Sequence, residues 1–394
     1  MAEETPFYMT KVECPICKTV NSFETIKVGA YTESGRDTDF CPTGRSWRNP
    51  RYQAYNPLLY FMATCSHCFY SREFTREFKD WKSDSYFKTY RQKVIKDQHL
   101  AVLSEADSVI RFIGDHLDTK RYPNESAILK LMLGIIDERL MDKSNDLDLG
   151  RFYLRIAWIF REMEKEENPN HSTVKSFLID TDNKLEAFKS SIENVKVNLH
   201  LLDQSIARQF EDDHIASELK SILYPIKDKY DSELNSVREI TSLLDAKIDA
   251  LEQINEEHKK IALGSSGDVI MPGFHDYRSF YDFLAGLFQK WDGTPKNEKE
   301  ALEYAVQYYR RAFEDGRSIS EGNQQLQASY LIAELSRRVG LHDQAKDYFN
   351  ITIRQGQELI YRNKGDRSKT ALARKILELA IEQARTSLAE ATAG

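Results

Sequence analysis

At 394 residues the chain is longer than an ordinary single domain and predicts two or three folded units. With 41% apolar and 30% charged residues it has material for a core, and no window approaches the roughly eighteen consecutive apolar residues of a membrane span. Residues 1–100 carry 15 Lys or Arg against 12 Asp or Glu and the remainder 40 against 50, so the net charge of −7 leaves little chain-wide attraction to nucleic acid or anionic membrane. A mildly basic front remains. The acidic start, residues 1–10, lacks a basic-then-apolar leader pattern, so the expected address is the cytosol, without membrane insertion.

All five cysteines lie in the first 68 residues. Clustered thiols in a reducing compartment favour a metal over disulfides. Cys14-Pro15-Ile16-Cys17 and Cys65-Ser66-His67-Cys68 each place two residues between sulfurs. That spacing lets one tight turn aim both thiolates at one ion, and two such turns complete a tetrahedron. Cys14, Cys17, Cys65 and Cys68 are therefore the expected ligands of one structural Zn²⁺ per chain, with mononuclear iron as the alternative ion. A redox dithiol fits less well, because short alternating segments follow both pairs where a helix would be needed. His67 reads as a solvent-facing turn residue. Cys41 stays open between a metal-adjacent thiol, an exchangeable ligand and a plain buried thiol.

The runs CPIC at 14–17, RDTDFC at 36–41, Asn56-Pro57-Leu58 and CSHC at 65–68 followed by an aromatic resemble the amino-terminal region of the bacterial DUF2225 family, whose function is uncharacterised. The resemblance implies a zinc-binding front and a helical rear with tetratricopeptide-like features, and no activity. Family members commonly carry glycine after each cysteine pair. Here Lys18 and Phe69 stand there, which predicts strained turns, since glycine eases a left-handed residue. Residues 36–57 show no period and read as an irregular excursion between the metal turns, with Asp37, Asp39, Arg45, Arg48 and Arg51 as its polar residues of interest.

From residue 71 to about 117 the apolar positions follow helical spacing, among them Phe74, Phe78, Trp81, Tyr86, Tyr90 and Val94. Interleaved Lys and Arg, Arg76 among them, allow a nucleic-acid face within 45–96, against an aromatic core with a solvated outer side. Helices follow at 125–141 and 147–165, closed by Pro169. Residues 183–262 then hold one proline and no glycine, with Leu185, Phe188, Ile192, Val195, Leu199, Leu202 and Ile206 in steps of three and four. That is a heptad seam. A second run, Val237, Leu244, Ile248 and Leu251, follows Glu211-Asp212-Asp213 and Tyr224-Pro225, where proline should break or kink the helix. The expected result is two long antiparallel helices forming a coiled-coil arm; a homo-oligomer through 183–262 is the alternative.

Gly264-Ser265-Ser266-Gly267 and Pro272-Gly273 punctuate the chain before helices near 276–290, 297–314, 323–339, 342–358 and 367–389. Ala305 and Ala345, with Ala333 and a turn at Gly340, follow the packing logic of helical repeats. The reading is a mostly α protein with a small four-cysteine zinc module at 1–75, a helical body at 76–170, the arm at 171–263 and a tetratricopeptide-like domain at 264–394. Catalytic signatures such as HExxH or G-x-S-x-G do not occur. A non-enzymatic protein-binding scaffold is the expected function, with Gln325, Tyr330, Glu334 and Arg337 as the candidate binding surface. The alternatives are a nucleic-acid binder using 45–96 and a metal-dependent enzyme built around Cys41 with Asp37 or Asp39.

Overall fold

A computed structural model describes residues 5–53, 55–74, 78–167, 171–211, 216–262, 273–364 and 366–393. Arg76, Pro169, Asp212, Asp213, the small-residue linker 264–267 and Pro272 lie outside them. The fold is mostly helical, with small two-stranded sheets and clustered cysteines at the front, as the sequence predicts.

Three antiparallel hairpins come first. β1 (Phe7–Glu13) pairs with β2 (Val20–Ile26), and Glu13 opposite Val20 leaves the CPIC run in the turn. β3 (Tyr31–Arg36) pairs with β4 (Pro42–Trp47). β5 (Met62–Thr64) pairs with β6 (Ser71–Glu73), with CSHC in their turn. Between β4 and β5, single 3₁₀ turns at Pro50–Tyr52 and Pro57–Tyr60 are capped by Asn49 and Asn56, whose side chains accept from the amides of Arg51 and Leu58. The segment 36–57 is thus largely ordered. Its strands carry Thr, Glu, Ser, Gly and Arg on mostly exposed faces, so no apolar alternation marks them. Ser71–Glu73 is also strand where helical spacing was expected, and helix begins only at Ser85.

A π turn at Phe87–Arg91 leads into α1 (Gln92–Ser104), followed by α2 (Val109–Gly114), α3 (Pro123–Arg139) and α4 (Asp146–Glu167). Two long helices come next, α5 (His171–Glu211) and α6 (Ser217–Ala262). The rear is α7 (Phe280–Lys290), α8 (Glu298–Asp315), α9 (Asn323–Arg338), α10 (His342–Arg362) and α11 (Arg367–Ala393). Helices α8 to α11 pack against one another in chain order, and Gly340, at φ 84°, turns α9 into α10. Ala301, Ala305, Ala333 and Ala345 are fully buried in the same core.

Contacts divide the chain into two compact units, Met1–Met163 with Met271–Gly394, and Glu164–Ile270. The front hairpins, the middle helices and the rear helices therefore share one unit. In the other, Lys196 pairs with Asp245 and Asp203 with Arg238, so seven residues forward on α5 match seven back on α6: an antiparallel pair. Pro225 lies inside α6 and does not separate two helices, at the cost of one helical hydrogen bond.

The surface of α9 is not an open binding face. Tyr330 and Glu334 are fully buried, because the turn between β3 and β4 lies over them. The Tyr330 hydroxyl donates to the Thr38 carbonyl at 2.9 Å, Thr38 Oγ1 donates to Glu334 at 2.5 Å, and the Phe40 and Tyr330 rings meet at 5.3 Å. Arg338 donates to Asp37 at 2.8 Å. Arg337 is held by Glu334 and Glu390 at 2.9 and 2.7 Å, and Gln325 is half-buried. A bare stack of helical hairpins would expose these positions; the front hairpin covers them. Beside them Asp39, fully buried, accepts from Arg161 at 2.7 Å and from Trp158 Nε1 at 3.0 Å.

Two substitutions measure this docking. Arg337→Glu should destabilise the fold by about 3 kcal/mol, since it sets a second carboxylate beside buried Glu334. Arg161→Met should cost a similar amount, because Asp39 loses its cation. Urea unfolding of both variants checks this, and a midpoint within error of the parent for either would contradict it.

Candidate metal centre

The two cysteine pairs sit in equivalent places, each in the turn of a short hairpin. Cys14 N donates to Thr19 O at 2.8 Å and Lys18 N to Cys14 O at 3.1 Å; Cys65 N donates to Tyr70 O and Phe69 N to Cys65 O, both at 2.9 Å. Closing the turn forces the residue after each pair into the left-handed region, with Lys18 at φ 68° and Phe69 at φ 62°. Each non-glycine residue has a packing task that offsets this strain. The Lys18 ammonium lies 3.9 Å from the Trp81 ring centroid and donates to the Pro15 carbonyl at 3.1 Å. The Phe69 ring covers Gly114 of α2 so closely that a Cβ there would run into it.

The turns bring Cys14, Cys17, Cys65 and Cys68 together with all four sulfurs within 4.8 Å of one another. Cys14 and Cys68 are 3.7 Å apart, and Cys17 and Cys65 3.5 Å. A tetrahedron of thiolates at zinc-like bond lengths has sulfurs about 3.8 Å apart, so the spacing fits one ion. Without a cation the sulfurs act against one another. Hydrogen bonds from Cys14 and then Cys68 pull the Cys65 thiol down, while Cys14 is pushed up chiefly by Cys65, and Cys68 chiefly by Cys14. A divalent ion would remove that conflict by letting all four ionise.

Amides surround the cluster. Ile16 N approaches Cys14 Sγ at 3.4 Å, His67 N approaches Cys65 Sγ at 3.5 Å, and Asn21 Nδ2 donates to Cys65 Sγ at 3.4 Å. Asn21 Oδ1 accepts from Ser66 N at 2.8 Å, so this buried β2 residue stitches one knuckle to the other. The His67 side chain is exposed in its turn.

Behind the second knuckle stands His99 of α1, fully buried. Its Nε2 donates to the Cys68 carbonyl at 2.7 Å and its Nδ1 lies 2.6 Å from Asp137 of α3. Both ring nitrogens thus face oxygen, which the imidazolium form satisfies. Burial opposes that charge, but Asp137 outweighs it and the pKa is raised. Asp137 also accepts from Ser71 N at 2.9 Å, and neighbouring Glu138 receives both Arg72 and Arg91. Asn21, His99, Asp137 and Glu138 escaped the sequence reading. The available signal was the acidic pair at the end of 127–136, a run apolar on nearly all faces.

Cys41 is not one of the clustered sulfurs. It lines a separate cavity of about 290 Å³ with Tyr31, Glu33, Arg45, Tyr60 and Glu73. Asp37 and Asp39 do not line that cavity; they are engaged by Arg161 and Arg338. The Asp39 carboxylate accepts from the Cys41 amide at 3.2 Å and Asp37 N donates to the Cys41 carbonyl at 2.8 Å, so the three share one turn, but both carboxylates are committed to arginines and neither lines the cavity beside Cys41. A second cavity, about 660 Å³, opens beside Cys65, Ser66 and Phe69 and is also lined by Glu24 and Lys130. Burial lowers the Lys130 pKa to about 8, with the Glu24 carboxylate acting against the shift.

The DUF2225 profile, described as an uncharacterized protein conserved in bacteria, matches residues 7–244 and 280–377. Comparison with curated proteins and with solved structures returned no match.

Cys→Ser at any of the four positions should release the metal and lower the melting temperature of the unit. His99→Ala should keep the four thiols but loosen the second knuckle, with about tenfold or greater loss of metal affinity. Elemental analysis and chelator competition read both, and unchanged metal content in the cysteine variants would sink the assignment. Lys130 gives a separate pH signature. Its folded pKa lies below the unfolded value near 10.4, so its buried charge costs stability in full below about pH 8, and the cost fades as pH rises toward the unfolded value. Lys130→Met should therefore raise stability at neutral pH and flatten the rise between about pH 8 and 10; pH-dependent denaturant curves decide it.

Proposed function

The chain belongs to the DUF2225 family of bacterial proteins, and from that premise we propose that it is a non-enzymatic cytoplasmic scaffold, braced by one structural Zn²⁺ and associating with protein partners through its α5–α6 arm. Four thiolates suit Zn²⁺ and fill its coordination, so the ion would contribute folding energy and leave no position for a substrate. The free thiols accord with a reducing compartment. No helix among the described residues is long and apolar enough to cross a membrane.

One observation carries the reading of the arm. Large apolar side chains on both helices are exposed, including Phe188, Val195, Leu202, Leu244 and Leu251, which supports reading this surface as one for association. The nucleic-acid alternative is weaker: within 45–96, Arg45 is held by Glu162, and Arg72 and Arg91 by Glu138. Three of its guanidiniums are thereby spent inside the fold.

Native purification should return about one zinc per chain. Replacing Val195, Leu244 and Leu251 together by Glu should abolish specific cross-linked partners in the source cells while leaving zinc content unchanged. A cross-linking profile identical to the parent's would refute the arm as the association surface.

A further inference from the structure

The arm has two unlike faces, and the sequence positions show why. Ile192, Leu234 and Ile248 are buried between α5 and α6, with Leu178 nearer the start of α5; among the described residues of this unit they are the only fully buried large apolar side chains. Four residues after a buried position come the charges Lys196, Arg238 and Glu252, and with Asp203, Asp245 and Lys189 they form ion pairs across the seam. Three residues after the same positions come Val195, Val237 and Leu251, each exposed, and Leu244 follows buried Thr241 in the same way. At about 100° per residue, a step of four turns one way around the helix and a step of three the other. In an antiparallel pair the same rotation on each helix leads to the same face. One face is therefore closed by ion pairs, and the other is an apolar stripe whose members are 37–57% exposed from Phe188, Val195 and Leu202 on α5 to Ile226, Ile240 and Ile254 on α6. Two helices of 41 and 46 residues with so small a seam depend on something else to cover this stripe.

The charges identify what covers it. Glu233 and Lys247 interrupt the stripe on α6, both exposed and neither in an ion pair with any described side chain. They lie seven residues on either side of Ile240, and Ile226 and Ile254 lie fourteen on either side. The surface is thus self-complementary about Ile240: turned by a two-fold axis there, it sets each Glu233 against a Lys247 and each Ile226 against an Ile254. On α5 the same level, set by Lys196–Asp245 and Asp203–Arg238, falls at residue 201, beside Leu202. An isologous interface requires such matching, whereas an unrelated partner has no need of it.

We propose that the α5–α6 hairpin is half of a four-helix bundle, completed by the same hairpin of a second copy, with α6 against α6 and antiparallel about a two-fold axis at Ile240. This rests on reading the arm as an association surface and names its occupant. The two central ion pairs would be formed by Glu233 of each copy with Lys247 of the other.

Sedimentation equilibrium on the full chain tests it. The parent should be a dimer, and Glu233→Lys or Lys247→Glu should each raise the dissociation constant by about tenfold or more, since each sets like charges together twice. The double reversal, Glu233→Lys with Lys247→Glu, should restore the parent value. Because both positions are exposed in the hairpin, circular dichroism should show unchanged helicity throughout. Ile240→Cys should yield a 240–240 disulfide by peptide mapping. A parent monomeric at about 100 µM, a dimer indifferent to both reversals, or a double reversal that fails to rescue would overturn the inference. A monomeric parent whose cross-linked partners still vanish on Val195→Glu with Leu244→Glu would remove the second copy while leaving the association surface standing; partners unchanged by those substitutions would remove that surface as well.

Discussion

Four buried carboxylates tie the front of this chain to its helices: Asp39, Asp137, Glu138 and Glu334. A carboxylate taken out of water without a partner costs several kcal/mol, so each must find donors, and here the donors come from distant segments. Asp39 in the β3–β4 turn takes Arg161 and Trp158 from α4, and Glu334 of α9 takes Thr38 from that turn as well as Arg338. Asp137 and Glu138 of α3 take His99, Arg72 and Arg91. None of these contacts is complete until both segments are in place. The hairpins and the helices therefore belong to one compact unit, although the front looks separable by composition.

The four-cysteine cluster inherits its position from this network. A pair of short hairpins has almost no core of its own, and a thiolate cluster alone would leave their orientation loose. His99 removes that freedom by bridging the Cys68 carbonyl to Asp137, and Trp81 Nε1 does a similar service for the first knuckle by donating to Glu13 O at 2.9 Å. The left-handed residues Lys18 and Phe69 fit the same logic. Glycine at either place would relieve the backbone but surrender a cation–π contact on one side and the cover over Gly114 on the other.

The arm obeys a different constraint. Its ion pairs are exposed and individually weak, and its seam buries few side chains, so the amphipathic division of the hairpin matters more than any one contact. The hairpin sets its cross-helix ion pairs on one face and exposed apolar residues, interrupted by Glu233 and Lys247, on the other.

What the sequence determined by itself is the part written in local spacing: the four cysteines that cluster, the two long helices of 183–262, the mostly helical class, and the buried alanines where the rear helices meet. Those patterns are legible because a CxxC turn, helical spacing and a small-residue crossing each act within a few residues, whereas of the expected heptad seam only Ile192 and Ile248 are buried. Tertiary structure alone decided that Tyr330 and Glu334 lie beneath the β3–β4 turn, that 31–47 is a hairpin, that Cys41 stands apart from the other sulfurs, and that His99 and Asp137 hold the second knuckle. An acidic residue on a helix has the same sequence signature whether it faces water or an arginine far away in the chain, and polar strands show no apolar alternation. Only the folded contacts distinguish them, because burial of charge is a property of the pair and not of either residue.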